Sequence, residues 1–341
     1  MNNERAKQVT RMKRYHVYGV GNALVDMEFE VNDDFLRQLD IGKGLMTLVD
    51  EKRQIELLAY LDHHKGKWAC GGSAANTIIA VNHFGGKTFY SCKVATDELG
   101  DFYQRDLQDA GVDSNINGVR YDGETGRCLV MVTPDAERTM NTFLGVTETL
   151  SIEELDAASI EESQYVYIEG YLVTSPSGRA AASEARKIAE NSGVKTALTF
   201  SDPAMVTYFR DGLTEMLGDG VDLLFCNEGE ALAWAKADDI DRALPEIKNV
   251  AKTFAVTLGS RGAIVYDGTK QVSFDPLKVQ AIDTNGAGDM FAGAFLYGIT
   301  HGHDYTMAAK LASHAASKIV CHFGPRLHAE EHKKMLAAVF K

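Results

Sequence analysis

The 341-residue chain contains little of what marks a disulfide-rich, zinc-binding or low-complexity protein. It has only 6 prolines, and no proline- or serine-rich linker divides it. Its 5 cysteines are scattered, without a C-x-x-C pair or a Cys/His cluster at metal-binding spacing; they are Cys70, Cys92, Cys128, Cys226 and Cys321. A disulfide framework and a structural zinc site are therefore not indicated, and we expect buried thiols in a reducing compartment.

Positive charge and long apolar runs are also scarce. The formal net charge is −13, which opposes nonspecific binding to nucleic acid or to an anionic membrane. No window approaches about 18 uninterrupted apolar residues, and the stretch MNNERAKQVTRMKRYHVYGVG lacks the apolar core of a signal peptide. We therefore expect a cytoplasmic protein, a monomer or a homodimer, that acts on a small molecule and has no nucleic-acid or membrane partner.

What the chain does contain is a regular alternation of strand-like and helix-like segments from about residue 160. The hydrophobic periodicity predicts strands in YVYIEGYL (165–172), VKTALTFS and VDLLFCN, and helices in SGRAAASEARKIAENSG, AMVTYFRDGLTEML (204–217) and EGEALAWAKA. Two long helices are predicted over roughly 287–301 and 304–320. Alternation of this kind predicts an α/β protein whose mostly parallel sheet is covered by helices on both faces.

Two β-like segments interrupt the alternation, at about 27–50 and about 112–145. Apolar strands without helices of their own need a surface to cover, and the substrate edge of the large sheet would supply one. We interpret both segments as a small β-sheet lid, inserted in a single domain that spans residues 1–341.

Glycine-marked turns near residues 21, 71 and 286, and the CNEGE turn at 226–230, each follow a predicted strand. Ligands of parallel sheets bind beyond the carboxyl ends of the strands, so these turns are expected to converge on one edge. Two common nucleotide fingerprints fail here. FGGKT has Val81 where a P-loop needs its first glycine, and GVGNAL lacks the third glycine of a dinucleotide site.

The stretch DTNGAGDMFAGAF, residues 283–295, carries the strongest chemical signal. Amide groups that open a helix attract anions, so those of Ala287, Gly288 and Asp289 could bind a transferring phosphoryl group. Asp289 would then accept the proton of an attacking hydroxyl. In the alternative interpretation, Asp283 or Thr284 caps the helix and Asp289 is only a first-turn acid that complements the helix dipole.

Three motifs make the chain resemble the ribokinase family, also called the phosphofructokinase-B family. DTNGAGDMFAGAF matches its D-T-x-G-A-G-D signature, GGSAANTIIAVNHFGG is similar to its N-terminal signature, and NEGEA matches its N-x-x-E motif. The motifs occur in the family's order between about residues 15 and 326. The resemblance implies a ribokinase-like three-layer α/β/α domain with a mostly parallel central sheet and a small β-sheet lid. It also implies transfer of the γ-phosphate of ATP to a primary hydroxyl.

For the glycine-rich motif, the resemblance implies that Asp289 is the general base and that Gly286, Ala287 and Gly288 line an anion hole. TLGSRGA (257–263) resembles the family's nucleotide loop, whose residues lie near the ATP phosphates; here they would be Thr257, Gly259 and Gly262. The alternative for this loop is a plain turn between strands.

The resemblance also implies bound cations. Asn227 and Glu230 would order Mg²⁺ and its water shell, although an isolated glutamate in a helix is by default an exposed acid. Members of the family often bind a monovalent cation such as K⁺ beside the anion hole, and the backbone carbonyls of Asp283, Asn285 and Gly324 are the candidates here.

On the substrate side, GNALVD resembles the G-N-x-L-x-D stretch of adenosine kinases. The resemblance implies that Asp26 holds two ribose hydroxyls and that Asn22, Gly71, Gly72 and Asn76 add contacts to the sugar. A carboxylate suits this task, because an analogue without one hydroxyl leaves a buried acceptor unpaired. In the simpler interpretations, Asp26 is a turn acid and Asn76 a polar residue near a helix start.

Adenosine or a related purine nucleoside, phosphorylated at its 5′-hydroxyl, is the favoured substrate. A sugar kinase of the ribokinase or fructokinase type remains an alternative, as does a non-catalytic nucleoside- or nucleotide-binding protein. The sequence departs from many adenosine kinases in having alanine instead of proline within GNALVD, and HFGPRL (322–327) resembles bacterial members. Other side chains admit two interpretations. Arg138 either reaches a phosphate or is a surface charge. Four apolar or aromatic residues either clamp the base of the substrate or belong to the core: Leu45, Met46, Phe143 and Tyr171.

Overall fold

The computed structural model describes residues 13–61, 67–135 and 137–340, arranged as two β-sheets with helices around them. Both ends of the predicted domain, 1–341, and one position of the predicted lid segment 112–145 lie outside the described residues. In the described part of the chain the five cysteines form no disulfide, and all except the partly exposed Cys321 are buried.

Fourteen strands are present in the described residues, and they separate into a nine-stranded sheet and a five-stranded sheet. In chain order they are β1 Tyr15–Val20, β2 Leu24–Glu30, β3 Met46–Leu48, β4 Lys67–Gly71, β5 Thr88–Ser91, β6 Asp113–Ser114, β7 Gly126–Val132, β8 Arg138–Phe143, β9 Ser163–Ile168, β10 Lys195–Thr199, β11 Val221–Asn227, β12 Ala251–Thr257, β13 Ala263–Tyr266 and β14 Gln271–Phe274.

The large sheet has the order β14-β13-β12-β11-β10-β9-β1-β5-β6. Its strands pair in parallel except β12 with β13 and β13 with β14, which are antiparallel. The small sheet has the order β3-β8-β7-β2-β4 and mixes parallel and antiparallel pairs. The expected mostly parallel central sheet, with a smaller sheet beside it, is therefore present.

Thirteen α-helices occupy the same described residues: α1 Asp33–Gln38, α2 Glu51–Leu61, α3 Ser73–His83, α4 Glu98–Asp109, α5 Ala157–Glu161, α6 Pro176–Asn191, α7 Pro203–Tyr208, α8 Arg210–Leu217, α9 Glu228–Ala235, α10 Ile240–Lys248, α11 Ala287–Thr300, α12 Tyr305–Ile319 and α13 Ala329–Val339. None of these helices is both long enough and apolar enough to cross a membrane.

Two hydrophobic clusters cover the two faces of the large sheet and give the three layers. One contains side chains of α3, α11, α12 and α13, and the other contains side chains of α6, α8, α9 and α10. Strand β1 contributes to both clusters, because Val17 packs in the first and Tyr18 and Val20 pack in the second. Buried strands of this kind need apolar side chains on both faces, as YHVYGV has.

The small sheet is joined to the large sheet at two places that matter for the site. Residues 21–23 connect β1 of the large sheet to β2 of the small sheet. Strand β4 of the small sheet ends at Gly71, and α3, which covers the large sheet, begins two residues later. Both connections therefore lie where the two sheets meet.

The extent of the small sheet differs from the two predicted lid segments. It also includes β4, which lies outside 27–50 and 112–145, whereas β6, inside 112–145, pairs with β5 of the large sheet. The prediction that these strands lack helices was wrong for 27–50, because α1 lies there, capped by Asn32, whose side chain accepts the Phe35 N–H at 2.9 Å. That the small sheet acts as a lid stays a prediction.

Two predicted elements are shorter than expected. The helix predicted over 204–217 is two helices, α7 and α8, because the backbone of Phe209 leaves the helical region at φ −123°. The strand predicted over 165–172 ends at Ile168, since the Gly170 N–H donates to Ser201 Oγ at 3.0 Å rather than to a neighbouring strand. The two long helices predicted near the C-terminus are confirmed as α11 and α12.

Candidate active site

A cavity of ≈ 340 Å³ lies between the carboxyl ends of the large-sheet strands and the small sheet. Most of the predicted site residues line it, namely Asn22, Asp26, Gly72, Asn76, Asn227, Glu230, Thr257, Asn285, Gly286, Ala287, Gly288 and Asp289. Four other predicted site residues are not among the described residues that line the cavity: Gly71, Gly259, Gly262 and Asp283. The predicted convergence of the glycine-marked turns on one edge is thus what the structure shows.

Helix α11 begins in the cavity wall without a side-chain cap. Its N-cap is Gly286, which has a φ of +72°. A Cβ added at this position would lie 2.6 Å from the Cα of Pro325, so the position strongly favours glycine. Capping by Asp283 or Thr284, the alternative from the sequence, is not observed. Among the described residues, none accepts a hydrogen bond from the N–H of Gly288 or Asp289. These two donors are therefore free for an anion, whereas the Ala287 N–H donates to the Thr284 carbonyl at 3.3 Å.

The Asp283 side chain holds the loop that leads into α11. One carboxylate oxygen accepts the Asn285 N–H at 2.9 Å, and the other accepts the Gly324 N–H at 2.8 Å. The second oxygen also accepts from Arg138, at 2.6 Å, and Arg138 pairs with Glu28 at 3.2 Å. Arg138 is therefore an ion-paired link from the small sheet to this loop and not an exposed surface charge. That it reaches a phosphate stays a prediction.

Asp289 lies in the first turn of α11, where two residues from the start of α3 hold its carboxylate. Ser73 Oγ donates to Oδ1 at 2.7 Å and Asn76 Nδ2 donates to Oδ2 at 2.9 Å. Burial raises the pKa of Asp289 to about 6, although both hydrogen bonds and the charge of Arg326 lower it. The pKa of Asp289 thus lies closer to neutral pH than that of an ordinary aspartate, and the two hydrogen bonds fix the orientation of the carboxyl group.

Asp26 is a half-buried residue of β2 on the same cavity. Burial raises its pKa to about 7, against the lowering effects of the Arg326 and Arg138 charges. Gly71 packs directly on it, since a Cβ at position 71 would lie 2.3 Å from Asp26 Oδ1. Gly71 therefore serves the site by leaving room for this carboxylate and does not itself line the cavity.

Asn227 and Glu230 form a capping box at the start of α9. Asn227 Oδ1 accepts the Glu230 N–H at 2.9 Å, while Glu230 accepts from the N–H and the side-chain amide of Asn227 at 3.0 and 2.6 Å. Glu230 is only 3% exposed, and burial raises its pKa to about 8. The default expectation of an exposed acid was wrong, because this capped carboxyl group is buried against the cavity wall.

The loop after β12 is close to the cavity only at its start. Thr257 lines the cavity and pairs in register with Asn227 of β11. Gly259 and Gly262 belong to the following 3₁₀ turn, with φ of +59° and +89°, and a Cβ on Gly262 would collide with the Phe274 carbonyl oxygen. In the described structure these two glycines shape the turn, so their predicted contact with ATP phosphates stays a prediction.

Glu169 is a cavity residue that the sequence reasoning missed. It follows β9, is 1% exposed, and accepts backbone N–H groups of Asn22, Ser73 and Ala74. Burial raises its pKa to about 8, although these N–H groups lower it. An acid placed directly after a buried strand, in YVYIEGY, is the signal that could have found it.

Arg326 of HFGPRL was also missed as a site residue. Its Nε donates to Asn76 Oδ1 at 2.7 Å, and its Nη1 pairs with Asp106 of α4.

Of the four candidate base-clamping residues, Met46 and Tyr171 line the cavity, whereas Leu45 and Phe143 are not among its described lining residues.

Comparison with known proteins identifies the family. The sequence pattern described as pfkB family carbohydrate kinase matches residues 49–332, well over half of the chain. The chain belongs to this family. The resemblance drawn from the three motifs is thereby confirmed.

Several proteins are similar to this pfkB family kinase along nearly their whole length. Adenosine kinase of Saccharomyces cerevisiae is 28% identical over 334 residues, which cover 92% of this chain and 96% of the yeast protein. The structure of adenosine kinase from Sinorhizobium meliloti superposes with a TM-score of 0.87 at 36% identity, covering 94% of this chain and 98% of the other. A probable sugar kinase from Rhizobium etli gives 0.88 at 35% identity, covering 96% and 99%. The ribokinase-like fold is confirmed, and the protein is a phosphotransferase that acts on an alcohol group.

Proposed function

We propose that this pfkB family kinase transfers the γ-phosphate of ATP to the 5′-hydroxyl of adenosine or a related purine nucleoside. The observation that carries the proposal is the position of Asp289 beside the unpaired N–H groups of α11, in the same cavity as Asp26. The cavity thus combines a base, anion donors and a carboxylate able to bind paired hydroxyls. Proteins called adenosine kinase among the relatives favour a nucleoside over a free sugar.

Asp289 accepts the hydroxyl proton while the substrate oxygen bonds to the γ-phosphorus and the bond from phosphorus to the ADP oxygen breaks. With a pKa of about 6, Asp289 is mostly ionised at pH 7. This pKa is also close enough to the working pH for the carboxylate to act as an effective base. The N–H groups of Gly288 and Asp289 donate to phosphoryl oxygens as charge develops there. Ser73 and Asn76 hold the carboxylate in place beforehand, which reduces the reorganisation needed.

Glu230 and Asn227 are the residues that would hold Mg²⁺, through its water molecules. The chemistry of the site fits such an ion, because a buried carboxyl group with raised pKa gains from a nearby cation. No group of three His, Cys, Asp or Glu residues within the described ranges forms a metal cage, which suits an ion that keeps much of its water shell. Mg²⁺ bound there would neutralise phosphate charge. K⁺ at the carbonyls of Asp283, Asn285 and Gly324 remains part of the proposal.

Asp26 is the residue assigned to the ribose, with Asn22, Gly72 and Asn76 around it. A carboxylate binds two neighbouring hydroxyls with both of its oxygens, so loss of one hydroxyl leaves an acceptor unpaired. A sugar kinase is the second candidate, favoured by the similarity to the Rhizobium etli protein, since free ribose presents the same hydroxyl pair.

The substrate class is tested by ADP release with matched acceptors. We expect turnover with adenosine and none with 5′-deoxyadenosine, which lacks the attacking hydroxyl. For 2′-deoxyadenosine, ribose and fructose, kcat/KM should fall by roughly 10²-fold or more.

Two results would contradict the proposal. A preference for ribose or fructose over adenosine would make the protein a sugar kinase. Tight adenosine binding without any ADP release would make it a non-catalytic binding protein.

A further inference from the structure

Arg326 is connected to Asp289 by two hydrogen bonds that share the Asn76 side chain. Arg326 Nε donates to Asn76 Oδ1 at 2.7 Å, and Asn76 Nδ2 donates to Asp289 Oδ2 at 2.9 Å. The connection joins the loop after α12 to the first turns of α3 and α11. Three separate parts of the chain therefore meet at one amide group.

The chemistry of these groups permits only one orientation of that amide. A guanidinium group donates hydrogen bonds and accepts none, so the Asn76 atom that faces Arg326 must be the oxygen. The NH₂ group is then forced towards Asp289. We infer that Arg326 is a positioning residue, which locks the Asn76 amide so that it donates to Asp289; the inference rests on the proposed role of Asp289 as the general base.

The lock matters most after Asp289 has taken the proton. A neutral carboxyl group can itself donate, so an unrestrained Asn76 could turn its oxygen to Asp289 and stabilise the protonated form. With Arg326 present, that rotation would place the NH₂ group against another donor, leaving both unpaired. Asn76 thus remains a donor throughout the cycle and favours the return of Asp289 to its ionised form.

Arg326 is itself held in place and contributes charge. Its Nη1 pairs with Asp106, and its Nη2 is buried without a hydrogen-bond partner among the described residues. Its charge lowers the pKa values of Asp26 and Asp289. The other titratable groups that interact with Asp289 or Arg326 are Glu169, Tyr167, Tyr171, Tyr103, Cys70 and His83.

The test is the pH profile of kcat at saturating ATP and adenosine for Arg326→Gln, with Arg242→Gln as the matched control. Arg242 is an exposed surface residue paired with Asp238, so its replacement should leave both rate and profile unchanged. In Arg326→Gln we expect kcat to fall by roughly 10-fold, because the base is less well held. The acid limb should move to higher pH, because the cation that favours ionised Asp289 is gone.

Two further variants keep the inference testable if Arg326→Gln folds poorly. Arg326→Lys keeps the charge but cannot hold Asn76 and Asp106 with a planar fork, so kcat should fall while the acid limb stays near that of the wild type. Asp106→Asn removes the counter-charge of Arg326 and spares its bond to Asn76, so the acid limb should move to lower pH.

A wild-type rate and pH profile in Arg326→Gln, or in both Arg326→Lys and Asp106→Asn, would overturn the positioning role. That failure is distinct from failure of the proposed function. In the latter case Asp289→Asn would keep its turnover, or adenosine would not be phosphorylated, whatever the residue at 326.

Discussion

Helices α3 and α11 begin in the same way and in the same cavity, yet their first N–H groups have different partners. Both have a glycine with positive φ as N-cap, +94° at Gly72 and +72° at Gly286, and a glycine offers no side chain to cap the helix. At α3, the N–H groups of Ser73 and Ala74 donate to the buried carboxyl group of Glu169. At α11, the N–H groups of Gly288 and Asp289 have no acceptor among the described residues.

The difference separates a structural helix start from a reactive one. Glu169 satisfies the donors of α3 from within the protein, and α3 can then use its side chains, Ser73 and Asn76, to hold Asp289. The donors of α11 are left for a ligand that comes from outside. One helix start therefore supports the other, and each can be tested separately.

The largest effect is expected at the start of α11, where Asp289 lies beside the N–H groups that have no acceptor among the described residues. Asp289→Asn should lower kcat by about 10²- to 10⁴-fold, because the amide cannot accept the hydroxyl proton. Thermal stability should stay within a few degrees of the wild type, since the new amide oxygen can accept from Asn76 while its NH₂ group donates to the Ser73 hydroxyl. ADP release in steady state and a thermal melt measure the two quantities. Near-normal turnover would remove Asp289 from the proposed role.

The glycines of α11 should respond in opposite directions. Gly286→Ala should destabilise the protein by about 1–3 kcal/mol, because alanine is strained at this φ and its Cβ would collide with Pro325. Gly288→Ala meets no heavy atom within 4 Å, so stability should be kept or raised by up to about 1 kcal/mol. Its kcat/KM should nevertheless fall, because the methyl group stands where phosphate must approach.

Urea unfolding and steady-state kinetics on the same preparations check this pair. If Gly288→Ala were as active as the wild type, the start of α11 would not be the phosphoryl site.

A pH dependence of stability is expected at the start of α3, whose first N–H groups donate to Glu169. The pKa of Glu169 is about 8 in the folded protein and 4.5 ordinarily, so the folded state keeps a proton that the unfolded chain has released. Stability from this group is therefore lost as pH rises from 4.5 towards 8, by at most about 1.4 kcal/mol per pH unit. Glu169→Gln should flatten this slope in urea unfolding of the ligand-free protein between pH 5 and 8. An unchanged slope would assign the effect to Asp26, Glu230 or Asp289, which shift in the same direction.

Local sequence patterns were enough to predict the start of α11 and the residues of its first turn. The turn at Gly286 and the apolar periodicity after it both depend only on residues that are close together in the sequence. Helix α12 was predicted for the same reason. The break at Phe209 was not predictable in this way, because α7 and α8 share one hydrophobic spacing.

The partners of these helix starts were beyond reach of local patterns. Glu169 binds a backbone group 147 positions away, at Asn22, and Arg326 binds Asn76 across 250 positions. Such contacts depend on which strands become neighbours, a property of the completed sheet order. The three family motifs therefore led to Asp289, but not to the residues that hold its supports.

A lid movement of the small sheet, which stays a prediction, would have to turn about the two connections between the sheets. Asn22 lies in one connection, and Gly72 in the other, beside the first turn of α3. A rotation of the small sheet would therefore displace part of the proposed ribose subsite and strain the Arg138–Asp283 contact. Were the small sheet to turn, the free energy by which its movement changed affinity for the nucleoside would equal the free energy by which the bound nucleoside shifted its position.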